Sequence, residues 1–200
     1  MTIIDAAKRV FLHNGFTDTS VDAIATEAGV SKQTIYNHFG DKEHLFREVV
    51  DAVQRDVAEA TGSWFRDEFV ESGDLGRDLG AIGRHWVRLF LREDIAALRR
   101  LVIAEQVRRP DLVDDWTRPR PTFEQAVSEE IARQVELGVL DITDVGLAAR
   151  QLMNLVIYEA LNQSRNGLRQ LSDAEAGKIV DDGVGMWLRC YRVRPSSSGE

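Results

Sequence analysis

Along nearly the whole chain, apolar side chains recur every three or four residues, the spacing that gathers them on one side of an α-helix. Nowhere do they alternate with a period of two for long enough to make a strand, so the expected fold class is all-α. Ile3, Ile4, Ala7, Val10 and Phe11 form the first stripe, which Asn14-Gly15 stops. Val21, Ile24, Ala25 and Ala28 form the second; Thr19 or Ser20 can cap it, and Thr19-x-x-Asp22 loosely fits a capping box. Gly29 ends that helix, because a residue without Cβ takes the left-handed conformation at no steric cost. Val30 plugs the turn and Ser31 caps the third helix, where Ile35 and Phe39 face inward and turn Gln33, Tyr36 and Asn37 outward.

The fourth helix is expected to run from Lys42 towards Val70, with Thr61-Gly62-Ser63 as the one place for a bend. That length carries it out of a small domain into a larger one, as a lever. Leu75, Leu79, Ile82, Trp86, Leu89 and Phe90 mark a fifth helix, and Ile95, Leu98 and Val102 a sixth that ends at Arg109-Pro110. With Pro119 and Pro121, the segment Asp111 to Pro121 reads as a loop with a short helical turn. Phe123, Val127, Ile131 and Val135 resume a helix up to Gly138. Val145 to Leu161 is apolar on nearly all sides, as in a helix covered on more than one face. In the last helix Ile179, Val180, Val184, Trp187, Leu188 and Tyr191 are expected inside, and Gly177, Gly183 and Gly185 should allow close helix contact. This gives about nine helices: a three-helix domain over 1–46, a bundle over 47–194 and a disordered tail over 195–200.

Composition narrows the chemistry. Of 200 residues, 44% are hydrophobic and 29% charged, ordinary for a soluble globular protein. No apolar run is long enough to span a bilayer and no signal-peptide pattern opens the chain, so a cytoplasmic protein without a membrane partner is expected. Cys190, the single cysteine, is read as a small buried hydrophobe. His13, His38, His44 and His85 are scattered singly. The chain has no nucleophile elbow, no paired metal-binding histidines, no Glu-x-x-His pair and no glycine-rich phosphate loop. Neither a catalytic residue, a metal nor a cofactor is therefore expected. The formal net charge is −8, and residues 1–47 hold five Lys or Arg against six Asp or Glu. That excludes a sequence-indifferent nucleic-acid binder, and any DNA binding must rest on local geometry, helix N-termini and two copies of the binding surface.

The outward face of the third helix nevertheless suits nucleic acid. Gln33, Tyr36 and Asn37, flanked by Lys32, Thr34 and His38, are mostly hydrogen-bond donors with one aromatic ring, able to meet base edges and phosphate oxygens. Lys42 stands at the start of the fourth helix, where the dipole disfavours a cation by roughly 0.3–1 kcal/mol; either an anion docks there, or the ammonium is simply solvated with Glu43 beside it as local compensation. The pattern made by Ala7, Phe11, Gly15, Phe16, Thr19 to Val21, Ile24, Ala25, Ala28 to Ser31, Thr34, Tyr36, His38, Phe39, Lys42, Glu43, Leu45 and Phe46 closely resembles the N-terminal DNA-binding domain of the tetracycline-repressor (TetR) family of transcription regulators. The likeness covers about the first quarter of the chain. Leu98 to Leu112, with Gly138 and Asp144 to Ala149, more weakly resembles one common type of ligand-binding and dimerisation domain in that family.

The resemblance implies a homodimeric, sequence-specific repressor, released from a near-palindromic double-stranded DNA operator by a small-molecule effector. Gln33 and Tyr36, with Lys32 and Asn37, would read bases, while Thr19, Ser20, Thr34, His38 and Lys42 would hold phosphates. Trp86, Phe90, Trp116, Phe123, Met153, Asn154 and Tyr158 are candidates to line an effector pocket, ordinary core being the alternative. Arg84, His85 and Glu159 are either polar groups of that pocket or surface. The last two helices would pair two copies. Two other classes stand beside this one: a relative that no longer binds DNA and acts through protein contacts, and a helical enzyme bearing a helix-turn-helix.

Overall fold

A computed structural model describes residues 2–113 and 121–193, and these are helical apart from turns and one isolated bridge, Leu140 to Arg192. The all-α expectation holds. Trp116, the side chain of Phe123 and the 195–200 tail, each assigned a role from sequence, lie outside the described residues. The chain divides into two compact units: 1–60 with 93–118, and 61–92 with 119–200.

The first unit contains α1 (Ile3–Asp18), α2 (Val21–Ala28), α3 (Lys32–Phe39), the first part of α4 (Lys42–Asp67), α6 (Glu93–Gln106) and α7 (Pro110–Val113). Helix α1 opens with a capping box between Thr2 and Asp5 and loses helical geometry at Gly15, whose φ of 76° fits glycine. Phe16 beyond it turns inward and closes an aromatic cluster with Phe11 and Phe46, ring centroids 5.1–5.8 Å apart. Ala6, Ala7, Ile24, Ile35 and Leu45 complete this core. Three buried phenylalanines contribute roughly 1.5–3 kcal/mol each to that core. Helix α6 packs on α1, where Lys8 pairs with Asp94 at 2.7 Å.

The second unit holds the end of α4, α5 (Leu75–Phe90), α8 (Pro121–Glu136), α9 (Val145–Met153), a π-helical turn (Asn154–Tyr158), α10 (Glu159–Gln163) and α11 (Asp173–Tyr191). Trp86 and Trp187 are buried at its centre with Leu79, Ile82, Ile131 and Val180. The Trp187 indole N–H donates to the Ala148 carbonyl at 2.8 Å, so its polar atom is satisfied inside. The helix expected as one piece from Val145 to Leu161 is instead widened by the π turn.

Of the three glycines expected to bring α11 close to a neighbour, only Gly183 does so: a Cβ there would lie 3.2 Å from the Leu155 carbonyl oxygen. Gly177 faces open space and Gly185 meets only Arg189 of its own helix. The other close approach comes from α5, where a Cβ on Gly83 would stand 2.8 Å from Val180. Cys190 is exposed rather than buried, on the outer side of the last turn of α11.

Helix α4 ends at Asp67, three residues short of Val70, and is unbroken through Thr61-Gly62-Ser63. The division between the two units nevertheless falls at Ala60/Thr61.

Candidate nucleic-acid interface

Helices α2 and α3 are joined by a tight turn whose geometry follows from one residue. Gly29 takes φ 69°, ψ 31°, and its N–H reaches the Ala25 and Thr26 carbonyls, so the end of α2 is satisfied in the left-handed manner only glycine adopts freely. Ser31 then accepts from the Thr34 N–H at 3.0 Å and starts α3. With Ile35 buried and Phe39 half-buried against the core, helical phase turns Lys32, Gln33, Tyr36, Asn37 and His38 to solvent. All five are exposed, as their spacing predicts.

These side chains are ordered by one another. Gln33 donates to Asn37 Oδ1 at 2.8 Å, one turn along. Lys32 Nζ lies 2.7 Å from Asp22 Oδ2 and 5.9 Å from the Tyr36 ring centroid. The bond to Asp22 raises the Lys32 pKa above its ordinary range. Thr34 is half-buried and shares a hydrogen bond with Ser31. Ser20, not Thr19, caps α2, accepting from the Ala23 N–H at 3.1 Å.

Two of the expected phosphate ligands have other partners. Thr19 is buried, and its hydroxyl donates to the Gly15 carbonyl at 2.6 Å. Lys42 Nζ donates to the carbonyls of Phe16, Thr17 and Thr19 at 2.9, 3.3 and 2.9 Å. An ammonium has three N–H groups, and three carbonyls take them. It also lies 4.6 Å from the Phe16 ring centroid, with the Arg109 guanidinium 4.9 Å from the same centroid and paired to the buried Glu105. Burial first, and Arg109 second, lower the Lys42 pKa. The cation that looked misplaced at a helix N-terminus thus ties down the carbonyls that α1 leaves unpaired beyond its break at Gly15.

In the second unit the candidates for an effector pocket separate. Trp86 is fully buried, and Phe90 and Met153 are half-buried against the core. Asn154 and Tyr158 are exposed on the π turn, Tyr158 at 64%, and so do not converge with the others. Of the three polar candidates, Arg84 pairs with Asp181 and Glu159 is exposed, which leaves His85. Its ring stacks on Trp64 at 4.3 Å, and Phe65 and Phe69 pack around that tryptophan. Its Nε2 is buried without a hydrogen-bond partner, and burial pushes its pKa down to about 4. A lone histidine carries no periodicity signal, so sequence could not separate this atom from a solvated one. Among the described residues no group of three or more His, Cys, Asp or Glu is placed to hold a metal ion, and no helix is long and apolar enough to cross a membrane.

Residues 3–49 match the model of bacterial regulatory proteins of the tetR family, and residues 77–193 that of the AefR-like transcriptional repressor C-terminal domain. The HTH-type transcriptional repressor AcnR of Corynebacterium efficiens is 26% identical over 178 residues, 86% of this chain and 87% of that protein. A TetR-family regulator of Mesorhizobium loti superimposes with a TM-score of 0.79 at 30% identity, over 96% of this chain and 95% of that one. The flavonoid-responsive regulator FrrA does so with 0.73 at 28%, over 96% of both chains. A capped helix-turn-helix with an outward polar face, a second helical unit and these likenesses lead to one conclusion: the chain belongs to the TetR family of DNA-binding transcriptional regulators.

Proposed function

We propose that this regulator is a cytoplasmic, non-enzymatic repressor that binds a near-palindromic operator as a homodimer and is released by a small-molecule effector. The observation that supports the DNA contact is the exposed face of α3, where Lys32, Gln33, Tyr36 and Asn37 form one hydrogen-bonded polar surface. These four would read bases in a major groove, with Ser20, Thr34 and His38 towards phosphates. Two copies related by a two-fold axis would set half-sites about one helical turn or more apart. Pairing through α9, the π turn and α11 would cover Tyr158 and Met186, which a single chain leaves 64% and 50% exposed.

The effector reading rests on His85. A buried, unpartnered ring nitrogen beside Trp64, Phe65 and Phe69 suits a flat aromatic molecule with a hydroxyl group, which can donate or accept, and the similarity to a flavonoid-responsive regulator agrees with that class. A ligand preferring one helical arrangement would move α4 and alter the spacing of the two reading surfaces, by no more than its differential affinity allows.

The test is selection of bound duplexes from a random pool at low salt, followed by release with hydroxylated flat aromatics. A palindromic motif, lost on adding such a compound, is the expected result. Recovery of no motif, with or without compounds, would overturn the operator reading. A motif that no such compound displaces would overturn the effector class alone.

A further inference from the structure

We infer that Asp22 is a specificity-determining residue, and that Asp22 and Lys32 together read one C·G base pair in each half-site. The inference rests on α3 being the DNA-reading helix, and it adds a residue of α2 to the reading surface.

Asp22 is the second residue of α2 and Lys32 the first of α3, and their side chains meet at 2.7 Å across the turn while remaining 66% and 47% exposed. As a surface ion pair this contact stabilises little. Its position gives it another use, because it stands at the edge of the outward face beside Tyr36, whose ring lies 5.9 Å from the Lys32 ammonium. One hydrogen bond leaves the ammonium two further N–H groups and the carboxylate its second oxygen. The pair therefore presents acceptor and donors side by side.

Base edges answer that pattern unequally. A C·G pair shows the cytosine N4 amino donor on one side and the guanine O6 and N7 acceptors together on the other. The carboxylate can accept from N4 while the ammonium donates to O6 or N7. An A·T pair places the adenine N6 amino donor between its two acceptors, so an N–H group would stand against the ammonium. A free carboxylate at this surface would only be repelled by phosphates; held by Lys32, it becomes a usable acceptor.

The experiment is duplex selection with the full-length wild type, Asp22→Ala and Lys32→Ala, with melting curves to show that each variant folds. The wild type should fix a C·G pair at one position of each half-site. Each variant should keep the rest of the motif and lose preference at that same pair, by roughly 5- to 100-fold against the other base pairs. Asp22→Ala should also bind random duplex more tightly than the wild type, since a carboxylate has gone. A wild-type motif without a fixed C·G pair would overturn the proposal, as would variants that relax different positions or none. In those cases DNA reading by α3 would stand. No motif from any of the three proteins would overturn both.

Discussion

Lys42 shows how a side chain of the right type can have a different use from the one its position suggests. Its N–H groups are engaged by the Phe16, Thr17 and Thr19 carbonyls, so Lys42→Ala should destabilise the protein by about 2 kcal/mol, the worth of charge-assisted bonds to otherwise unpaired acceptors. The slope of log affinity against log salt for DNA should stay unchanged, because no phosphate contact is lost. A flatter slope with unaltered melting would return Lys42 to the phosphates. His85 makes a second residue-scale prediction. Its pKa falls from 6.5 to about 4 on folding, so the neutral ring is the folded form. Between those values the unfolded chain binds a proton that the folded one refuses, and stability is lost as pH falls from about 7 towards 4. Solvent reaching the ring keeps the loss to about 1 kcal/mol by pH 5. Denaturation of His85→Phe at pH 7.5 and pH 5 should show that part of the pH dependence removed. The outward set on α3 was legible because phase within one helix follows from spacing. The Asp22–Lys32 and Lys42–carbonyl contacts were not, since they depend on how separate helices pack.

At the scale of elements, the glycines divide by what surrounds them. Gly83→Ala and Gly183→Ala should each cost about 1–3 kcal/mol, since the new methyl meets Val180 in one case and Val156 and the Leu155 carbonyl in the other. Gly177→Ala, on the same helix as Gly183 but facing open space, should cost far less than either, and comparison of the three melting temperatures checks the division. Gly29→Ala should destabilise by about 1 kcal/mol for another reason, its positive φ. The sequence marked Gly15 and Gly29 as turn-forming, because such residues act locally, but left Gly40, which ends α3 at φ 76°, unmarked. It could not tell Gly183 from its neighbours in α11, because close approach is a property of two helices and only one of them is visible in a periodicity. The π turn escaped for a related reason: Val145 to Leu161 is apolar on so many sides that a change of helical phase leaves no trace in the pattern.

For the whole molecule, Tyr158→Glu with Met186→Glu should shift sedimentation from dimer to monomer while leaving the helical content intact, if these exposed apolar groups lie between two copies. A dimer that survives both charges would place the pairing surface elsewhere. Helix α4 runs without a break across the division between the two units at Ala60/Thr61. A helix interior has no place for a residue without an N–H, so Ala60→Pro should cost about 3 kcal/mol and lower the helical content read by circular dichroism. Cutting the chain at this boundary to obtain either part alone would leave unpaired backbone groups on both new ends, a constraint on the exchange of parts that a flexible linker would never have imposed.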